Sequence, residues 1–152
     1  MPKQILKAYK VRLYPTIDQQ VFFAKSFGCV RFIWNKMLSD KIEHYKETKT
    51  TLKNYPAQYK KEFEWLQEVD SLALSKVERH LQKAYQSFFK NGTGFPKFKK
   101  KGQRDSYTTN NQKGTVAITD STVKLPKVGH INAKFPSEIN GLIKSATISH
   151  TP

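Results

Sequence analysis

The hydrophobic period of this chain changes twice, and these two changes constrain its fold more than any other feature of the sequence. Between residues 16 and 89, apolar side chains recur every three or four positions, as on the buried side of an amphipathic helix. Before residue 16 and beyond residue 93 they form short β-type runs, separated by Gly and Pro. The sequence therefore predicts an α+β fold in which a helical segment interrupts a β part.

The helical segment is predicted to form a compact bundle of four helices. They span residues 16–28, 30–46, 59–66 and 71–90. Thr16 and Gln19 have the spacing of a capping box, and Gly28 suits the end of the first helix. Asp70 or Ser71 can cap the fourth helix.

Five strands are predicted outside this segment. They span residues 5–13, 116–119, 123–125, 131–135 and 143–148. We expect the first strand to join the others in one small barrel or sheet, so that residues 1–15 plus 90–152 form one domain and residues 16–89 form an inserted one. The last predicted strand has no return strand after it, which suggests that the chain is the front part of a longer protein.

The charge of the chain indicates a polyanionic partner. Twenty-seven Lys and Arg against twelve Asp and Glu give a net charge of +15 over 152 residues and a pI near 9.9. Nucleic acid is the expected partner, with an anionic membrane or another acidic molecule as the alternative. Residues 16–89 hold twelve basic and nine acidic side chains, whereas the rest hold fifteen basic and three acidic ones. We therefore expect the β part to make most phosphate contacts.

One segment interleaves cations with aromatic rings. From residue 90 to residue 104 there are six Lys or Arg and no Asp or Glu. Phe95 and Phe98 lie within this run, and Tyr107 follows it. Cations neutralise phosphates, and flat rings stack on unpaired bases. The other interpretation is that these rings pack in the core and thereby position the lysines.

No residues have the spacing of a catalytic or metal site. Cys29 is the only cysteine, which excludes an internal disulfide and a thiolate zinc site, and the four histidines are far apart. Nine of the twelve acidic residues lie within the predicted helical segment, residues 16–89, on faces that we expect to be exposed. No apolar run is long enough to cross a bilayer and no signal peptide is evident, so we expect an intracellular soluble protein.

Five sequence motifs occur in the order seen in one protein family. They are residues 7–15, Gly28 with residues 31–35, residues 84–85 with 88–89, residues 94–99, and residues 125–129. The chain thereby resembles the N-terminal half of TnpB (OrfB) proteins, the transposon-encoded relatives of type V CRISPR effectors. The resemblance covers essentially the whole chain.

The resemblance implies RNA-guided recognition of DNA, in which a guide RNA from the transposon end pairs with target DNA and the protein reads a short adjacent motif. It also implies that residues 1–15 plus 90–152 form a wedge β-barrel of the oligonucleotide-binding type, interrupted by a helical recognition domain over residues 16–89. The RuvC-like nuclease domain of the family, which would use divalent metal and zinc, follows these domains and is missing from this chain.

Several expectations follow from the resemblance. The chain should bind guide RNA and target DNA in the prokaryotic cytoplasm, associated with the nucleoid. It should have no cofactor, no catalytic residue and no cleavage activity of its own. Its oligomeric state is left open.

Three sets of binding residues are expected. Phosphate contacts to the guide RNA are assigned to Lys10, Arg12, Lys97, Lys99, Lys100, Lys101 and Arg104. Stacking or anchoring among them is assigned to Phe95, Phe98 and Tyr107. The resemblance assigns reading of the target-adjacent motif to Tyr55, Gln58, Ser71, Leu72, Ser75, Thr109, Asn110 and Asn111. Amide and hydroxyl groups of this kind suit the edges of bases.

A helix-turn-helix DNA-binding regulator or repressor is the alternative function. The two predicted helices that flank Gly28 could form this motif and present Arg31, Asn35 and Lys36 to a major groove. The apolar side chains of the second helix make it core-like, which weighs against this interpretation. An intact nuclease with an unforeseen active site is a further alternative, which the distribution of carboxylates disfavours.

Overall fold

The order of helices and strands follows the predicted changes of period. A computed structural model describes residues 5–150 of the chain. Its elements are β1 (Arg12–Tyr14), α1 (Ile17–Thr48), α2 (Pro56–Tyr59), a 3₁₀ helix (Glu64–Glu68), α3 (Ser71–Asn91), β2 (Ser106–Asn110), β3 (Ala117–Ile118), β4 (Thr122–Leu125), β5 (Gly129–Lys134) and β6 (Ser145–Ser149). The α+β class is confirmed.

Helix α1 replaces the first two predicted helices. The predicted capping box is present, since Thr16 Oγ1 accepts from the Gln19 N–H at 3.2 Å and Gln19 Oε1 accepts from the Thr16 N–H at 2.9 Å. The stop predicted at Gly28 is wrong, because a glycine inside a helix costs only about 1 kcal/mol relative to alanine and buried side chains continue on both sides of it. The helix ends instead before Lys49, whose φ of 57° is left-handed.

The predicted bundle of four helices is also wrong. Residues 5–150 contain three α-helices, and α2 is only four residues long. In place of the third predicted helix the chain forms α2 and then the 3₁₀ helix, and Tyr59 is bonded to α1 and to the preceding connection. Its hydroxyl donates to Asp40 Oδ2 at 2.7 Å and accepts from Asn54 Nδ2 at 2.9 Å. These bonds fix α2 against α1, and the chain continues as the 3₁₀ helix.

Helix α3 agrees with the prediction at both ends. Asp70, not Ser71, is the cap, because Asp70 Oδ1 accepts from the Leu72 N–H at 3.0 Å. Gly92 follows the helix with a left-handed φ of 67°, a conformation that favours glycine. Local capping signals therefore predicted this helix correctly.

Within residues 5–150 the strands form two separate sheets and no closed barrel, so the predicted small β-barrel is wrong. The larger sheet has the order β1-β5-β4-β3, and β2 pairs with β6 in the smaller one. All the strand pairs are antiparallel. Strand β1 joins the C-terminal strands as predicted, but it is shorter than the run predicted over residues 5–13. Strands of two or three residues at both edges of the larger sheet offer few backbone bonds for closure.

Strand β6 has a partner that precedes it in the sequence. It pairs with β2 along the full strand, from Ser106↔Ser149 to Asn110↔Ser145. The last strand is therefore paired although no return strand follows it. Strand β2 was not predicted because Tyr107 is its only large apolar residue.

Helices and sheets share one hydrophobic cluster. Its largest fully buried apolar side chains are Ile33, Met37, Leu38, Leu66, Leu74, Leu81, Leu125 and Ile131. None of the helices within residues 5–150 is both long and apolar enough to cross a bilayer. The division into domains at residues 15 and 90 stays a prediction.

Candidate nucleic-acid interface

The basic and aromatic segment is an extended strap attached to α1. We call residues 94–104 the basic strap; they follow α3 and form neither helix nor strand. Its exposed cationic residues are Lys97, Lys99, Lys100, Lys101 and Arg104. None of the three ion pairs found among residues 5–150 uses one of them. The strap therefore presents its cations to solvent.

Two neighbouring side chains of α1 hold the backbone of the basic strap. Asn35 Nδ2 donates to the Lys99 carbonyl at 2.9 Å, and Asn35 Oδ1 accepts from the Lys99 N–H at 2.7 Å. Trp34 Nε1 donates to the Lys97 carbonyl at 2.8 Å. These bonds satisfy backbone groups in a segment that has no helix or strand ladder of its own. Sequence reasoning missed this role, because it treated Trp34 as a core residue and Asn35 as a groove-reading candidate.

Both ends of the basic strap are anchored as well. Near its start, the Phe95 ring packs edge-on against Tyr85 and Phe88, with centroid distances of 5.4 and 5.3 Å. Just beyond its end, Arg31 Nη1 donates to Asp105 Oδ1 at 3.2 Å. An anchored segment has little conformational freedom left to lose on binding, so its cations are pre-organised for a polyanion.

Lys99 has an aromatic neighbour. Its Nζ lies 4.3 Å from the centroid of the Trp34 ring, within the range of a cation–π contact. Partial burial at this position lowers the pKa of the Lys99 ammonium from its ordinary value. The indole face and a phosphate would therefore compete for this charge.

The three aromatic residues assigned to stacking or anchoring differ in exposure. Tyr107 is only 4% exposed, and its ring centroid lies 6.3 Å from that of Phe23 and 5.8 Å from that of Phe27. Burial raises the pKa of its hydroxyl. Tyr107 is thus an anchor in the core, with no face open to a base. Phe95 and Phe98 are 43% and 54% exposed, which leaves part of each ring open to contacts.

Lys10 and Arg12 belong to a different element from the strap. Lys10 precedes β1, Arg12 lies on it, and both are exposed. The Arg12 guanidinium lies 5.5 Å from the centroid of the Tyr14 ring, and Arg12 is opposite Lys134 of β5. The structure therefore groups five of the seven predicted phosphate-binding residues on the strap and places the other two beside the larger sheet.

Four of the residues assigned to motif reading are exposed. Tyr55 directly precedes α2, Gln58 lies on α2, and Ser71 and Ser75 lie near the start of α3. Ser71 and Ser75 are one helical turn apart on the same side of α3. Leu72 is half-buried. Gln58 Oε1 accepts from the Tyr55 N–H at 2.9 Å, so this amide already stabilises the start of α2.

The other three residues assigned to motif reading have structural contacts. Thr109 is fully buried. Asn111 Nδ2 donates to the Ile143 carbonyl at 2.8 Å, and its Oδ1 accepts from two N–H groups of the following loop, each at 3.1 Å. Neither side chain can reach a base without moving. Asn110 is half-buried, and its Oδ1 accepts from Lys76 Nζ at 3.4 Å. Sequence reasoning missed Lys76, although its position next to Ser75 was an available signal.

Several acidic side chains have structural partners. Asp40 accepts from Tyr59, and Glu68 pairs with Lys25 at 3.4 Å. Among residues 5–150, no group of three or more His, Cys, Asp or Glu is close enough to hold a metal ion. Cys29 is buried, which raises the pKa of its thiol to about 11, so it stays protonated near neutral pH.

A family model described as a helix-turn-helix domain, HTH_OrfB_IS605, matches residues 1–50. In this structure the described part of that match contains β1 and the single helix α1, which runs through Gly28 without a turn.

Known relatives match much more of the chain. It is 27% identical over 153 residues to a protein of Escherichia coli K12 named as an RNA-guided DNA endonuclease, InsQ; the match covers 96% of this chain and 38% of InsQ. It is 30% identical over 138 residues to a protein of Streptomyces pristinaespiralis with the same endonuclease name, covering 78% of this chain and 33% of that one. It is 34% identical over 113 residues to the virulence protein VsdF of Salmonella dublin, covering 64% of this chain and 95% of VsdF. The chain therefore spans only 38% and 33% of the lengths of the two endonuclease-named relatives.

Proposed function

Because the chain belongs to the TnpB (OrfB) family, we propose that it binds a guide RNA from the transposon end and the target-adjacent DNA motif, without cleaving DNA itself. The observation that carries this proposal is the attachment of the basic strap to α1 through Trp34 and Asn35. Two of the five family motifs, residues 31–35 and residues 94–99, thus contact each other and hold a row of cations in place.

A cationic strap of this kind suits the phosphate backbone of a folded RNA. Each lysine that neutralises a phosphate releases counterions, and this gain does not depend on the base sequence. In RNA-guided recognition, base pairing reads the sequence while the protein holds the backbone. The exposed parts of the Phe95 and Phe98 rings would add contacts to unpaired bases.

Reading of the target-adjacent motif is proposed for the start of α3 and its neighbours. Ser71 and Ser75 offer exposed hydroxyls, and Asn110 lies within reach of Lys76. An asparagine amide can pair with adenine and a hydroxyl can reach any base edge, while the ammonium of Lys76 suits guanine or a phosphate. Tyr55 is 46% exposed and can extend this surface.

We assign neither a catalytic residue nor a cofactor to this chain. The divalent metal and zinc implied by the family belong, in this proposal, to a nuclease domain outside the matched third of the endonuclease-named relatives. The sheets would correspond to the wedge part and the helices to the recognition part. A cleavage assay with guide RNA, target DNA and Mg²⁺ is expected to give no product, whereas a cut product would contradict this part of the proposal.

Sequencing of co-purified RNA tests the RNA-binding part. The chain, co-expressed with a transposon-end locus and purified at high salt, is expected to retain one structured RNA. Changing Lys97, Lys100 and Lys101 together to Gln should weaken binding of that RNA. It should also reduce the slope of log Kd against log salt by roughly 2 to 3, since each lost phosphate contact removes about 0.7 to 0.9.

The matched control removes the same charge from the helical part of the chain. Lys46, Lys53 and Lys61 are exposed lysines outside the strap. Their joint change to Gln should leave the salt slope nearly unchanged. Equal losses in the two triple variants would show that only net charge matters, and a featureless RNA mixture would show that guide recognition is absent.

A DNA-binding regulator is the second candidate, because the family model that matches residues 1–50 is described as a helix-turn-helix domain. The continuous α1 lacks the turn that this motif requires, and Arg31 and Asn35 are bonded to Asp105 and Lys99. Protection of one duplex site from nuclease digestion, together with loss of RNA enrichment, would favour the regulator.

A further inference from the structure

The outer face of the larger sheet is a second cationic surface, separate in sequence from the basic strap. Side chains alternate cleanly between the two faces of this sheet, with Ile131, Val123 and Leu125 turned to the core. We call the opposite side the open sheet face; its exposed members are Arg12, Tyr14, Lys124, His130, Asn132 and Lys134. Register places Arg12 opposite Lys134, Tyr14 opposite Asn132, and Lys124 opposite His130.

The charge of this face is unbalanced. The strands β1, β3, β4 and β5 contain no Asp or Glu. Arg12 and Lys134 are direct cross-strand neighbours of like charge, an arrangement that destabilises a sheet unless an anion lies between them. A polyanion would relieve this repulsion.

Tyr14 supplies an aromatic surface next to these cations. Its side chain is on a strand edge, and the residue is 48% exposed. The Arg12 guanidinium lies 5.5 Å from the ring centroid, so one cation and one ring are held together. Proteins that bind single strands combine such a ring, on which a base stacks, with cations that follow the backbone.

A small cavity continues the cationic surface beside β4, away from β1. It has a volume of about 360 Å³ and includes three lysines, Lys113, Lys124 and Lys127, among its lining residues. Lys124 belongs both to this cavity and to the open sheet face. From β1 to β4 the face is two strand spacings wide, or roughly 10 Å. The cations therefore extend across the sheet.

We propose that the open sheet face binds a short unpaired stretch of nucleic acid, with one base stacked on Tyr14. The phosphates of this nucleic acid lie between Arg12 and Lys134 and, across the sheet, near Lys113 and Lys124, since the Lys127 ammonium already donates to the Gln67 carbonyl at 2.6 Å. This inference rests on the proposed function for the class of ligand and adds a second contact surface to it. Because bases must be splayed out to stack, a fully paired duplex should bind this face poorly.

Photocrosslinking tests the inference with the full chain. The probes are oligonucleotides of about 10 nucleotides containing 5-iodouracil, made as single-stranded RNA, as single-stranded DNA of the same sequence, and as a duplex. Mass spectrometry is expected to find an adduct on Tyr14 with a single strand and none with the duplex. An adduct with RNA alone would support the site and identify RNA as its ligand; an adduct with DNA alone would support it and identify DNA.

Three single variants make the test specific. Tyr14→Leu should abolish the adduct and weaken single-strand binding about tenfold, since stacking of one base is lost. Tyr14→Phe should keep the affinity, because it keeps the ring. Tyr45→Leu is the matched control, since Tyr45 is 54% exposed and Lys49 Nζ lies 5.6 Å from its ring, but it belongs to α1. It should bind as the unchanged chain does.

Failure of this inference differs from failure of the proposed function. If the unchanged chain retains its structured RNA but the adducts fall only on Phe95 or Phe98, the open sheet face does not bind and the strap proposal stands. If Tyr14→Leu binds a single strand as tightly as the unchanged chain, the assignment of base stacking to Tyr14 is wrong. If neither structured RNA nor any single strand binds, both proposals are wrong.

Discussion

The basic strap and the open sheet face present the same chemistry, cations beside aromatic rings, but they hold it in different ways. The strap has no backbone ladder, and its position depends on single side chains, Asn35 above all. On the open sheet face, strand pairing sets where Arg12 and Lys134 lie. A single substitution on α1 should therefore loosen the strap, whereas the positions of the residues on the sheet face should change only when the core beneath the sheet is disrupted.

The largest expected effect comes from the core under the sheet. Ile131 on β5 is fully buried, so Ile131→Ala should reduce the free energy of unfolding by about 2–5 kcal/mol, through lost burial and the cavity it leaves. Urea-induced unfolding measures this. Leu142→Ala is the control, because Leu142 is 95% exposed and its change should stay within about 0.5 kcal/mol. Equal stability of the two variants would contradict the proposed difference between the strap and the sheet face, since the sheet would then not depend on its core.

The next effect tests the strap. Asn35→Ala removes both bonds to the Lys99 backbone but no charge, and should cost about 1–3 kcal/mol of stability. Guide-RNA affinity should fall roughly threefold to tenfold, since the loosened part of the strap must be ordered again on binding. Calorimetry and a filter-binding assay measure the two quantities.

The same variant separates the two surfaces. Crosslinking at Tyr14 should be unchanged in Asn35→Ala, because no bond of Asn35 reaches the sheet. Asn140→Ala, at an exposed asparagine in a loop, is the matched control and should keep full RNA affinity. If Asn35→Ala also kept full affinity, the attachment to α1 would not matter for binding and the distinction between the surfaces would be lost.

The smallest expected effect is a pH dependence that arises from Lys99 of the strap. Because the pKa of Lys99 is lowered by burial, this ammonium loses its proton at a lower pH than an ordinary lysine does. Its contribution to binding should therefore be present at neutral pH and decline at a lower pH than that of an ordinary lysine would. The decline can be followed by measuring the affinity for 2′-O-methyl RNA, which resists alkaline hydrolysis, at a series of increasing pH values.

Lys99→Arg provides the control for this titration. An arginine keeps its charge over the whole range, so this early decline should disappear in the variant. A decline that is identical in Lys99→Arg and in the unchanged chain would mean that Lys99 does not contact the RNA.

Local signals predicted the parts of the fold that depend on neighbours in sequence. The capping box of Thr16 with Gln19, the cap at Asp70 and the glycine at position 92 all lie within a few residues of the helix ends they set. Gly28 misled the prediction, because burial on either side of it outweighs the small intrinsic cost of a helical glycine.

The candidate site was predicted only in part. The strap cations stand together in the sequence, so their run of charge was visible without a structure. The burial of Thr109 and the bonds of Asn111 were not visible, since they depend on the pairing of β2 with β6, about 40 residues apart. The contact of Asn35 with Lys99 likewise joins positions separated by 64 residues.

The sequence by itself determined the α+β class, the excess of positive charge and the cations of the strap, because period, composition and a contiguous run of lysines are local properties. Only the tertiary structure decided that α1 is one helix, that two open sheets replace a barrel, and that Arg12 lies beside Lys134. These features depend on which distant segments pair and pack, and that choice is made by the free energy of the whole core rather than by any one segment.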